Sequence, residues 1–148
     1  MKTQGKLKHY IYGITLLFIT LSGFGQMPIF KRYYIADIPG LGWLARFYVT
    51  HMIHYIAAIV LIALATYVLC DFLFKKSGFK RITGFGYFKT GILAGLIVSG
   101  GLMVVKNLPH IYFGHTTIIA LDLFHLSLCM MLLFVSAYTL IRKKRWVN

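Results

Sequence analysis

Carboxylates are almost missing from this chain. Asp37, Asp71 and Asp122 are its three acidic residues in 148, and glutamate is absent. With 59% hydrophobic residues beside so little negative charge, an ordinary soluble domain is excluded. Cysteine is scarce too. Cys70 and Cys129 stand far apart, so no cysteine cluster can hold iron–sulfur, and without C-x-x-C-H the chain attaches no c-type haem itself. Both cysteines read as buried thiols, since free cysteine packs as a small hydrophobe. The barrel-like alternation of polar and apolar residues is lacking, which leaves helices as the form that satisfies backbone amides in lipid. Gly84-x-Gly86 has neither the following Lys-Ser/Thr nor the preceding strand of a phosphate-binding loop,. No internal repeat, low-complexity tract or A-x-A cleavage site stands out, so the basic, then apolar start reads as an uncleaved anchor.

Long apolar runs are what the chain has. A transmembrane helix needs ~20 apolar residues, and four stretches qualify: Tyr10–Gln26, Val49–Phe74, Phe88–Val105 and Phe113–Ile141. The first and third are near the lower limit. The expectation is an all-α membrane protein, a four-transmembrane-helix bundle forming one membrane domain over residues 1–148. The net charge of +13 does not indicate nucleic acid, because the cations follow the membrane. Twelve of the sixteen lie on one side of a four-span arrangement: Lys2, Lys6 and Lys8; Lys75, Lys76, Lys80, Arg81 and Lys89; Arg142, Lys143, Lys144 and Arg145. Lys31, Arg32, Arg46 and Lys106 lie on the other. The positive-inside rule then puts both termini and the middle loop in the cytoplasm, with the basic clusters available to anionic lipid.

Between spans one and two, Pro39-Gly40 marks a turn,. From Leu41 the chain can be helical without a break to Phe74, some ~50 Å at 1.5 Å per residue. Trp43, Phe47 and Tyr48 fall where an aromatic belt is expected,. Gly91-x-x-x-Gly95 in span three is a small-residue packing face,, and the absent side chains also make room for a flat macrocycle. Asn107 and Pro109 end that span.

The histidines carry the chemistry. His54 and His125 lie inside apolar runs, and an ionisable side chain at membrane depth is a functional-site hypothesis by default. Counted from the outer ends of their spans at 1.5 Å per residue, they sit ~9 Å and ~16 Å deep, close enough to hold one six-coordinate haem iron between facing helices. The alternative is two satisfied polar contacts, one per helix. His51, one turn from His54 on the same face, is an alternative ligand, or a hydrogen-bond partner of a propionate or a quinone carbonyl. His115 and His110 are interfacial, with a quinone contact or a second haem open to His115. His9 stands at the cytoplasmic start of span one, with no histidine at the inner end of another span to pair with it. Asp122, one turn before His125, can orient an imidazole, relay protons from a quinol, or bond a nearby hydroxyl. Arg46 can pair with a haem propionate or snorkel to the interface.

Four passages resemble the cytochrome b subunits of respiratory formate dehydrogenases and membrane-bound nickel–iron hydrogenases. Lys8-His9-Tyr10 followed by Leu21-Ser22-Gly23 looks like the family's opening basic-x-His-aromatic and its Ser/Thr-Gly. Ile53-His54-Tyr55 looks like its second-helix ligand region, Val98-Ser99-Gly100 like its third-helix Ser/Thr-Gly, and Leu123-Phe124-His125 like the first histidine of its last helix. The resemblance implies two b haems. The outer one would be carried here by His54 and His125. The inner one would need His9 and a second last-helix histidine about fourteen residues after the first. That position falls near Thr139, which cannot match, so the resemblance implies either that one outer haem remains, with quinone chemistry moved outward toward His51, His115 and Asp122, or that a second haem uses His51 or His115 with another partner.

The leading expectation is a haem b subunit of a bacterial or archaeal cytoplasmic membrane. It would pass electrons between an iron–sulfur or multihaem partner on the outer face and the membrane quinone pool, and would not be catalytic alone. The competing expectation is a non-redox polytopic protein, either a metal or proton transporter or a structural anchor.

Overall fold

The computed structural model describes residues 2–27, 34–74 and 83–142. All secondary structure among the described residues is helical. Four α-helices are present: α1 over Lys2–Gly25, α2 over Phe47–Phe74, α3 over Gly84–Val105 and α4 over His115–Ile141. Two short 3-10 turns, Ile35–Asp37 and Gly42–Ala45, lie between α1 and α2. The chain divides into two compact units, residues 1–74 and 75–148. In each, two helices pack as a hairpin: α1 with α2, and α3 with α4.

Among the described residues, three helices are long and apolar enough to cross a membrane: α2 over Phe47–Asp71, α3, and α4. The apolar part of α1, Tyr10–Gly25, is shorter, about 24 Å at 1.5 Å per residue against a hydrocarbon core of about 30 Å. The chain is thus an all-helical protein with the makings of a membrane protein.

Local sequence explains most boundaries. Thr83 caps α3, its Oγ1 accepting from the Gly86 N–H at 3.1 Å, which satisfies one of the amides a helix start leaves bare. α3 stops at Val105, as Asn107 and Pro109 require, and the loop to α4 passes through His110 at φ 70. Pro39-Gly40 makes the expected turn: Gly40 takes φ 89 and the Leu41 N–H bonds the Ile38 carbonyl at 2.9 Å, the form in which proline at the second position and glycine at the third are favoured.

The helix expected to run unbroken from Leu41 is interrupted. Gly42–Ala45 is 3-10, Arg46 is extended at φ −88 and ψ 96, and α2 begins at Phe47. The reason is packing. The interruption turns Leu44 into the hairpin, where it is 1% exposed. A Cβ at Gly25 would meet Leu44 Cδ2 at 3.0 Å and Thr50 Cγ2 at 2.9 Å, so the last residue of α1 is pressed against both.

The buried positions of each hairpin combine small hydroxyl residues with a few aliphatic ones such as Leu44, Leu61, Ile92 and Leu132, while most large apolar side chains point outward. Ser22, Thr50 and Ser99 are at most 1% exposed, whereas Phe18, Ile59, Val98 and Phe134 are all exposed. That distribution inverts the pattern of a water-soluble protein and suits helices whose solvent is lipid, where close approach of small residues does the holding. Of the span-three glycines, Gly95 meets Leu128 and Gly100 meets His125, while a Cβ at Gly91 or Gly101 would meet nothing within 4 Å. The Gly91-x-x-x-Gly95 face is therefore used at one of its two glycines. Cys70, expected to be buried, is exposed on α2, and Cys129 is half-buried.

Candidate functional site

His54 lies on α2 about two turns from its start. Its Nδ1 is 3.1 Å from the Ile19 carbonyl oxygen and 3.3 Å from Ser22 Oγ, both on α1. A carbonyl can only accept, so the proton is on Nδ1 and the lone pair is on Nε2. The Ser22 hydroxyl gives its own proton to the Phe18 carbonyl at 2.6 Å, leaving its oxygen as a second acceptor for the imidazole. Gly23 forms the floor: a Cβ there would come within 3.2 Å of His54 Cε1.

His125 repeats the arrangement in the other unit. Its Nδ1 is 2.7 Å from Ser99 Oγ on α3. The same hydroxyl has the Leu96 carbonyl at 3.2 Å; with its proton there, its oxygen accepts from Nδ1–H, the tautomer that leaves the lone pair on Nε2. Gly100 lies beneath, where a Cβ would stand 3.5 Å from His125 Cε1. In both hairpins a Ser-Gly pair near the end of the first helix seats an imidazole from the second. No sequence repeat announces this, because serine, glycine and histidine are the residues the two hairpins hold in common at the seat.

One turn nearer the start of each second helix stands a further polar pair. In the first unit His51 Nδ1 is 3.3 Å from Gln26 Oε1, and the His51 ring stacks on Phe47 at 5.3 Å and meets Tyr55 at 4.3 Å. In the second, Asp122 Oδ1 is 3.1 Å from Lys106 Nζ. Sequence reasoning set Asp122 inside span four, as a group to orient an imidazole, relay protons or bond a nearby hydroxyl. The structure pairs it instead with the cation that caps α3, and its side chain is 51% exposed. Lys106 also sits where the α3 dipole favours positive charge.

The remaining candidates are not gathered with these. His115 is the first residue of α4 and is exposed, as is His110. Arg46 is exposed at the extended residue before α2. His9 lies in α1, and its side chain is outside those described. Lys31, Arg32, Lys75, Lys76, Lys80, Arg81, Lys143, Lys144 and Arg145 fall outside the described residues.

Gln26 and Lys106 are the contributors that sequence reasoning passed over. Each sits at the end of the first helix of its hairpin, one turn or two beyond the serine, and that spacing was the available signal. Among the described residues no group of three or more His, Cys, Asp and Glu side chains comes together. A bare metal ion would want such a set. A haem, which brings four nitrogens of its own, asks the protein for two axial donors. No family model matches the chain, and no curated protein and no solved structure matches it at a significant level.

Proposed function

We propose that this chain is a haem b membrane subunit, with His54 and His125 as axial ligands, that passes electrons between a redox partner on the outer face and the membrane quinone pool. The observation that carries the reading is the duplicated seat. Each imidazole has its Nδ1 against a helix-borne oxygen, a carbonyl for His54 and the Ser99 hydroxyl for His125, so that each can present Nε2 to a metal. Metal-bound histidines almost always show this, the outer hydrogen bond fixing the tautomer and the ring plane. A glycine stands against each ring, closely at Gly23 under His54 and in ordinary contact at Gly100 under His125. His51 also directs Nδ1 at an acceptor, but no glycine stands against it, which favours His54 as the ligand.

A b haem so held supplies one-electron transfer without an open coordination position. The chain's own residues do the rest. Ser22, the Ile19 carbonyl and Ser99 orient the ligand rings. Arg46 is available to a propionate through its planar guanidinium. The Gln26–His51 pair in the first unit, and the Lys106–Asp122 pair with His115 at the start of α4 in the second, are each available as hydrogen-bonding and proton-accepting groups for a quinol headgroup. His9 finds no partner histidine near Thr139 in the sequence, which favours one haem over two. The finer arrangement belongs to the same proposal: four spans with both termini cytoplasmic, in a bacterial or archaeal cytoplasmic membrane, docking an iron–sulfur or multihaem subunit outside.

Pyridine haemochrome assay with protein quantitation on the purified chain tests the reading. One b haem per chain is expected, lost in His54→Ala and in His125→Ala. A chain purified from haem-replete membranes without haem would overturn it, and two haems per chain would overturn the single-haem form.

A further inference from the structure

We propose that Ser99 and Ser22 are positioning residues that tune the electron donation of the two ligand imidazoles, and that Ser99 is the stronger of the two. The inference rests on the haem reading above and adds which hydroxyl sets the potential.

Both serines are fixed before they meet a histidine. Ser22 and Ser99 are 0% and 1% exposed, and each hydroxyl has a carbonyl of its own helix within reach of its one proton, Phe18 at 2.6 Å for Ser22 and Leu96 at 3.2 Å for Ser99. Such back-bonding bends or weakens a helix slightly, so in a helix interior it is a cost unless the oxygen left over is used. In both units an imidazole Nδ1 stands against that oxygen, and iron at Nε2 leaves the proton on Nδ1 to donate to it.

The two contacts differ. Ser99 Oγ is 2.7 Å from His125 Nδ1, a short bond. Ser22 Oγ is 3.3 Å from His54 Nδ1, which also has the Ile19 carbonyl at 3.1 Å. Truncating Ser99 takes away the acceptor of the His125 Nδ1 proton, whereas truncating Ser22 leaves His54 a backbone acceptor. An acceptor on Nδ1–H raises the basicity of the ligating nitrogen, which favours ferric over ferrous iron. Removing it shifts the midpoint potential upward. Ser99→Ala should therefore shift the potential positively, and Ser22→Ala should shift it less in the same direction. Outer-shell losses of this kind weaken metal binding by about 10–100-fold, so haem retention during washing should fall further in Ser99→Ala than in Ser22→Ala.

The test is potentiometric titration with low-temperature EPR of the ferric chain, run on the full-length protein and on Ser99→Ala, Ser22→Ala and Ser99→Thr. Ser127→Ala serves as the control, because Ser127 is exposed and bonds only the Leu123 carbonyl of its own helix. Ser99→Cys keeps the volume and exchanges the hydroxyl for a weak acceptor, and stands in where Ser99→Ala does not fold. A positive shift ordered Ser99→Ala above Ser22→Ala, a changed g-tensor in Ser99→Ala and a return toward the parent values in Ser99→Thr support the proposal. Haem present in every variant with potentials and g-values equal to those of Ser127→Ala overturns it and leaves the haem reading standing. A parent chain without haem overturns both.

Discussion

The glycines packed against side chains differ in how much room they leave, and Gly25, Gly23 and Gly100 rank in that order. At Gly25 an added Cβ would crowd Thr50 Cγ2 at 2.9 Å and the Leu44 backbone oxygen at 3.2 Å, and backbone cannot turn aside. Gly25→Ala should destabilise the first hairpin by about 1–3 kcal/mol through overpacking, read as a lower unfolding midpoint in detergent. At Gly23 the neighbour is the His54 ring at 3.2 Å, and at Gly100 the His125 ring at 3.5 Å, an ordinary contact. Gly100→Ala should leave haem content near that of the parent, while Gly23→Val should displace the His54 ring and lower haem content in a haemochrome assay. Haem content unchanged in Gly23→Val would count against His54 as a ligand. Sequence reasoning could pick out His54 and His125, since an imidazole in an apolar run advertises itself. It could see Ser22-Gly23 and Ser99-Gly100 only as a likeness to a family pattern, because nothing local says which histidine they meet.

Between residue and hairpin, the segment from Leu41 to Arg46 shows how packing overrides propensity. Nothing in Leu41–Arg46 forbids helix, yet the chain breaks so that Leu44 is buried against the end of α1. Leu44→Ala should cost about 2–5 kcal/mol, as deletion of a buried leucine does, measured by thermal or denaturant unfolding in detergent. A loss within error would mean the break has another cause. The Lys106–Asp122 pair holds the other hairpin's loop end. Asp122 lies seven residues into a helix suited to lipid, where an exposed face meets no screening water,, so Lys106→Met, which leaves that carboxyl without its cation, should lower the unfolding midpoint. The breaks that came from Pro39-Gly40 and Asn107–Pro109 were legible because turn chemistry is a property of adjacent residues. The break at Arg46 was not, because its cause lies on α1.

For the whole molecule, the prediction concerns sidedness. Charge bias puts Lys2, Lys6 and Lys8 on the same side of the membrane as Arg142–Arg145,. Single cysteines placed at either end of a Cys70→Ser, Cys129→Ser chain should be labelled from the cytoplasmic side by an impermeant maleimide, and one at Asp37 from the outside. Opposite labelling of the two ends would mean an odd number of spans, with the short apolar part of α1 lying outside the membrane rather than crossing it. The sequence by itself determined that the protein is helical and suited to lipid, where three of its helices stop, and which side chains are costly there. Hydropathy, turns and intramembrane polarity are all readable along the chain. Only the tertiary structure decided that Ser22 meets His54, that Ser99 meets His125, and that Asp122 meets Lys106. Those meetings depend on how each helix is rotated about its axis. α2, α3 and α4 are apolar nearly all round, so they carry no stripe to declare which face turns inward. Small residues and hydrogen bonds from the neighbouring helix make that choice, and they act across distances that no local pattern records.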